Sequence, residues 1–411
     1  MRAQRSRKRG LAALALTAVL LLAGCSGDSF RADFARTFGS DEAVADLELS
    51  TVDDMPFTGG VSAEVVARED LDEAGLQALA GRLSAFASQR PVGDVRVVLD
   101  AEGLSLPVSG DPDLTDGRIA AALELRDDAR VSSVALTADD SDDRVSGLSL
   151  FLSDRATAED LFALARNTPD LLPDAAPVHV SVQSSDRSAL VSGDPGEWIG
   201  AAEGTWAAVS TVVPASGFRA VPERLEVTLA DEDDLAAAES ASAASGGPAV
   251  AFSSPLVALG DSGTGVAARV VLAALAPEIL ADVRSVWTDD DRLRLAVDSA
   301  DRAAAVAEAV SATPGSAEFA TLAITVGEGP TLEVSAAPRS FGAAVADASA
   351  LLATPGVTAV ARSDRSVTVT AAGDDGDLGR LLPPARSLAA EGARICIQRA
   401  DGTGVCDTST G

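Results

Sequence analysis

The chain has one histidine, His179, and one lysine, Lys8, which lies in the basic N-terminal stretch. Schiff-base and Ser–Lys nucleophilic chemistry need a lysine in the folded part, so neither is open to it. A transition-metal site needs several His or Cys ligands, and His179 has none nearby in sequence. Flanked by Val178 and Val180, it would point away from the face those valines bury if the segment is a strand, which makes it a solvated or partly covered sheet residue. Carboxylates are plentiful, with acidic runs at 139–143, 231–234, 289–291 and 374–377. None of the runs has the EF-hand order of alternating Asp/Asn, Gly and a terminal Glu, and Asp is favoured at turns and helix starts for its own reasons. They read as solvated punctuation with at most weak, collective affinity for divalent cations. Trp198 and Trp206 are eight residues apart, roughly 80° on a helical wheel, a spacing that packs a helix onto a sheet or lines an apolar groove. No catalytic, cofactor-binding or metal-binding residue is assigned on these grounds.

Two short segments carry weak resemblances. Gly260-Asp261-Ser262-Gly263 looks like the nucleophile segment of trypsin-like serine proteases, but the Ala-Ala-His-Cys context around that family's base is absent from His179. Gly263-Thr264-Gly265-Val266-Ala267-Ala268 fits a loose dinucleotide-binding fingerprint, although the flanking pattern reads αββ and not the βαβ such a site requires.

The N-terminus is more specific. Residues 2–9 hold five basic side chains, and residues 11–23 form an apolar stretch too short to span a bilayer but normal for a signal-peptide core. It ends in Leu22-Ala23-Gly24-Cys25, which resembles the lipobox of bacterial lipoprotein precursors. The resemblance implies cleavage after residue 24, diacylglycerol on the Cys25 sulfur and usually an acylated new N-terminus, enough lipid for stable anchoring. The expected location is therefore the extracytoplasmic face of the cell membrane, with the membrane as a partner through the anchor. The Ala-rich, Lys-poor usage is similar to that of actinobacterial proteins of high genomic GC content.

The formal net charge is −30, and without the five basic N-terminal residues 27 basic groups face 62 acidic ones, a net of −35. Such a surface repels phosphate backbones, so no nucleic acid is expected, and basic envelope or wall proteins are the partners it favours. Only two further cysteines exist, Cys396 and Cys406, symmetric about Ala400-Asp401-Gly402. That triplet reads as a three-residue hairpin loop with Gly in the left-handed position, which sets the two sulfurs on opposed strand residues. Outside the cytoplasm a disulfide is their expected state.

The elements that would position any site follow one repeat: a helix, then two strands. Period-2 strands are read at 95–99, 134–136, 148–152, 178–182, 225–229, 293–297 and 367–369, and helical periods at 71–87, 156–166, 265–280 and 300–312. About ten αββ units of about 38 residues follow. Val108-Ser109-Gly110-Asp111-Pro112 recurs as Val191-Ser192-Gly193-Asp194-Pro195, with weaker echoes at 258–262 and 334–338. Asp there suits a helix cap and Pro a first turn. Joints rich in Asp, Gly or Pro divide the chain into a signal peptide (1–24), a spacer with a helix–strand pair (25–59), modules at 60–143, 144–222, 223–291 and 292–365, and a partial module with the disulfide hairpin at 366–411. Each module reads β-α-β-β-α-β, so the expected fold is α+β: tandem ferredoxin-like modules. The pair at 30–51 either adds a strand to the first module, the favoured arrangement, or meets the last module and closes the array, which would set Leu47 beside Val367.

The expected function is non-enzymatic binding or scaffolding in the envelope. The alternatives are a cell-wall hydrolase using paired carboxylates and an acidic binder of divalent cations or small molecules. Replacing Cys25 by Ser is expected to shift the protein from the detergent phase to the aqueous phase on partitioning and to leave residues 1–24 attached by mass. A C25S protein still found with the detergent would contradict the anchor.

Overall fold

A computed structural model describes residues 26–52, 60–89, 95–139, 143–172, 178–327 and 329–408. Residues 1–24 and Cys25 lie outside these. Ten αββ units follow one another. The first four are helix Ser26–Phe38 with β1 (Val44–Val52) and β2 (Gly60–Ala67), helix Glu73–Ala87 with β3 (Val95–Ala101) and β4 (Leu104–Val108), helix Pro112–Arg126 with β5 (Val131–Ala138) and β6 (Val145–Leu152), and helix Ala158–Asn167 with β7 (His179–Gln183) and β8 (Ala189–Gly193). Next come helix Glu197–Val212 with β9 (Ala215–Val221) and β10 (Arg224–Leu229), then helix Leu235–Ser245 with β11 (Ala249–Ser253) and β12 (Val257–Leu259). Helices Val266–Ala273 and Pro277–Leu280 precede β13 (Val283–Asp289) and β14 (Arg292–Val297), and helix Ala300–Ala312 precedes β15 (Thr321–Val326) and β16 (Thr331–Ala336). Helix Pro338–Leu352 leads to β17 (Val357–Arg362) and β18 (Ser366–Ala371), and helix Asp375–Leu388 to β19 (Arg394–Gln398) and β20 (Gly404–Thr408).

Local chemistry explains the boundaries. Asp72 and Asp111 accept backbone N–H groups at the starts of their helices, and Pro112 opens the second, where its missing donor costs nothing. Thr157/Asp160 and Asp374/Asp377 form reciprocal capping boxes. Pro277 divides the helical period read at 265–280 into two helices.

The strands lie in chain order in two mixed sheets, β1 to β11 and β12 to β20. One rule recurs: the two strands of a unit are antiparallel, save in the sixth unit, whose β11 and β12 fall in different sheets, and strands joined through a helix are parallel neighbours, as in β2–β3, β6–β7 and β14–β15. The α+β class and the ten αββ units are thus present, and so is the β-α-β-β-α-β element order. A ferredoxin-like module, however, interleaves its strands, whereas here each helix returns the chain directly beside the strand it left. The tandem grouping therefore resolves into two continuous sheets. β1 pairs with β2, placing Leu47 opposite Val65, while Val367 lies in the other sheet opposite Arg362 and Ile395. The early strand extends the first sheet, and the closed array is excluded.

By compactness the chain falls into two units, residues 1–204 with 218–224 and residues 205–217 with 225–411. In the first, a buried row crosses the sheet as Leu104, Val134, Leu150, Val182, Val191 and Ala220, each opposite the next. In the second, the row is Val283, Val297, Val326, Leu332, Val360, Val369 and Ile397. Side chains alternate across a strand, so only one face of each sheet carries such rows. Helices 73–87 and 112–126 pack against each other and so share that face. Their crossovers advance the same way across the sheet between strands of opposite sense, so one of the two must be left-handed, against the usual preference.

The disulfide Cys396–Cys406 closes the last hairpin, with the two residues directly opposed and Gly402 at φ +83°. Cys406→Ser is expected to cost roughly 2 kcal/mol and to speed amide exchange in residues 394–408. Unchanged exchange there would show that the staple holds nothing.

Candidate functional site

The polar side chains singled out by the sequence are mostly bound to the fold itself. Ser109 donates to the Asp143 carboxylate. Asp143 sits at φ +56° in the β5–β6 turn and receives the guanidinium of Arg118, whose side chain is 0% exposed, at 3.3 Å. Arg118 also reaches the carbonyl of Pro107 at 3.3 Å and that of Asp143. The loop leaving one hairpin is thereby fastened to the turn of the next. The same fastening recurs at Ser262 with Asp289, at Gly373, whose carbonyl accepts from Arg399 at 3.1 Å, and at Gly193, which packs on Pro222 so closely that a Cβ would lie 2.5 Å from its ring.

This accounts for Gly260-Asp261-Ser262-Gly263. The amide of Ser262, at 3.1 Å, and its hydroxyl both donate to Asp289, which also takes the Asp290 amide at 3.0 Å. These donors, the Ser262 hydroxyl first, hold the Asp289 carboxyl below the usual carboxylate range. The helix begins at Val266 behind Gly265, so Asp261 is not its cap. β12 and β13 are parallel neighbours, so a βαβ unit does flank the glycine-rich loop, contrary to the αββ pattern read from the sequence. The Ser262 amide and hydroxyl at the head of this loop are, however, already taken by the protein's own Asp289 carboxylate.

The acidic runs behave likewise. Asp231 caps a turn of 3₁₀-helix, Glu232 pairs with Arg269 at 2.7 Å and Asp374 caps a helix. Residues 140–142 lie outside the described residues. Among the described residues no group of three or more His, Cys, Asp or Glu is arranged to hold a metal ion, and no helix is long and apolar enough to cross a membrane. The Trp198 indole donates to the Asp194 carbonyl at 2.7 Å and lies over Gly193 and Gly196, while Trp206 is half-buried on the same helix.

Two clusters remain on the uncovered sheet faces. Glu48 lies opposite Glu64 across β1–β2, and Asp100 is opposite Val66 on β3. The Asp100 charge, with a hydrogen bond between the two carboxyls and smaller contributions from Glu48 and Asp46, pushes Glu64 above the usual carboxylate value. The terminal strands are partly protected as edges: the Leu47 amide goes to Asp46 at 2.8 Å, the Leu49 carbonyl to Arg31 at 3.4 Å and the Thr408 amide to Asp407 at 2.8 Å.

The second cluster surrounds His179, which is exposed as its flanking valines imply. Its Nε2 is 3.0 Å from Ser192 Oγ, and its Nδ1 is 3.6 Å from Asp194 Oδ1. Sequence reading left these three apart. Counting back from the tight turn at 184–187 would have joined them, because Val180 faces Gly193 and the next pair outward is His179 with Asp194.

No family model, curated protein or solved structure matches this chain.

Two outcomes test this geometry. Asp143→Ala strands the buried Arg118 charge and is expected to cost about 3 kcal/mol or more in urea unfolding, against a small effect for an exposed Asp such as Asp70. Glu64 gains its proton more readily folded than unfolded, so its charge opposes folding as pH rises above the ordinary carboxylate range. Glu64→Gln should therefore raise Tm at pH 7 and lose that advantage at pH 4. An equal shift at both pH values would contradict the repulsion.

Proposed function

We propose that this chain is a lipid-anchored, extracytoplasmic protein of the cell envelope whose repeated sheets bind and space partners with basic surfaces. The observation that carries the reading is the lipobox Leu22-Ala23-Gly24-Cys25 ahead of an exported part with net charge −35, from 27 basic and 62 acidic groups. One-sided burial supports it, since each sheet offers a broad face of polar and small side chains, Ser149, Ser181 and Ser192 lying side by side on one row. The partial protection of β1 and β20 favours these faces over the terminal edges as contact surfaces. The carboxylates of Asp46, Glu48, Glu64 and Asp100, gathered on one face, favour a cationic partner by electrostatic complementarity. A carboxylate-pair hydrolase draws on Glu64 and Asp100, but Glu64 stands exposed on an open sheet, where water competes for its proton.

Cross-linking and pull-down from intact envelopes with the lipidated protein tests the proposal. Recovery of basic wall or membrane proteins, diminished by 0.5 M salt and in an E48Q/E64Q/D100N variant, is expected at roughly a physiological Debye length of contact. A blank together with measured glycan hydrolysis would overturn it in favour of the hydrolase.

A further inference from the structure

The two full copies of the Val-Ser-Gly-Asp-Pro motif use their polar side chains differently. In the first, Ser109 fastens to Asp143 and Asp111 caps the next helix by accepting from the Asp113 amide at 3.0 Å. In the second, the serine and the aspartate both face the only histidine of the chain. Gly193 between them has φ +151° and no room for a Cβ beside Pro222 and Trp198, and the Trp198 indole holds the Asp194 carbonyl at 2.7 Å. The backbone carrying the two side chains is thus fixed from both sides. His179 comes from β7, whose Val180 and Val182 are buried, so the imidazole is set by the pleat on the uncovered face.

We propose that Ser192, His179 and Asp194 form a base-activated serine able to take an acyl group from an ester presented to this face. Ser192 Oγ, 3.0 Å from Nε2, is the nucleophile and His179 the base. Asp194 is a positioning residue: its carboxylate, 3.6 Å from Nδ1, orients the ring and favours the imidazolium that forms. As Oγ attacks the carbonyl carbon, its proton passes to Nε2. The bond from the acyl carbon to the alcohol oxygen then breaks, and the alcohol leaves with that proton. Water, giving a proton to the same nitrogen, releases the acid and restores Ser192. Gly147, opposite His179 on β6, has no side chain, and the Thr137 hydroxyl occupies the place its Cβ would take. The side chains of His179 and Asp194 are 57% and 68% exposed, so water is not excluded. The substrates are accordingly small or activated esters, turned over slowly.

The full lipidated protein in detergent, treated with a fluorophosphonate probe and with p-nitrophenyl acetate, tests this independently of the binding reading. A single adduct on Ser192 and ester hydrolysis above buffer are expected. Both should fall on the order of 100-fold in S192A and H179N, and remain in S210A, a serine exposed on the helix Glu197–Val212. Asp194→Asn should slow labelling and Asp194→Glu restore much of it, with all variants melting at the wild-type temperature. Absence of an adduct in the wild type, or an adduct that persists in S192A, would overturn the proposal. Neither result bears on envelope binding, which is read by pull-down.

Discussion

An αββ unit buries apolar side chains on one face of two strands and one stripe of a helix, and two strands alone are too narrow to be stable in water. Each unit must therefore lend its hairpin to the next. Parallel pairing across the connecting helices does this, and it carries rows such as Leu150, Val182 and Val191 through successive units without a change of face. That one-sided register is what the rest of the structure depends on. It fixes which side chains reach the helices, which remain open, and where each hairpin turn must sit to meet the loop before it. The Ser109–Asp143 and Ser262–Asp289 contacts follow from this placement, and they hold hairpin to hairpin through polar groups where no core can reach. With aromatic residues at 3%, the cores rely on Ala, Val and Leu, which suit thin layers packed closely against a sheet.

Among the described residues, the same register leaves each sheet with a face that carries no such buried row. Small hydroxyl-bearing residues keep that face soluble without filling it, and carboxylates near β1 charge it locally. Under the proposed membrane anchor, broad open sheet faces are suited to surface contact more than to enclosure of a small molecule. The electrostatic bias against nucleic acid and anionic headgroups acts in the same direction.

Much of this is legible in the sequence because it is local. Period-2 runs such as 148–152, the helix at 300–312, the Asp111-Pro112 start and the Cys396–Cys406 hairpin each rest on residues a few positions apart. What is not legible depends on distant partners. Whether β3 lies beside β2 or beside a later strand is decided by how a helix crosses over, and alternating apolar residues fit either order. The break between β11 and β12 falls in a tight joint at 253–255 that looks like any other hairpin of the series. Arg118 reads as an ordinary helical arginine, and only its tertiary placement against Asp143 buries it. The His179 cluster lies between these cases: its parts are 13 and 15 residues apart across one turn, near enough for register counting to join them.

The central claim is that successive hairpins join in chain order into continuous sheets, each with a free face. Ala135 on β5 and Ser149 on β6 are directly opposed on that face, across the joint at 139–144 where separate modules would part. A double variant, Ala135→Cys with Ser149→Cys, places two thiols as Cys396 and Cys406 are placed in the last hairpin. Mild oxidation followed by mass mapping should give a near-complete 135–149 disulfide in a protein that melts no lower than the parent. Two free thiols in a folded protein would contradict the continuous sheet and return the chain to independent modules.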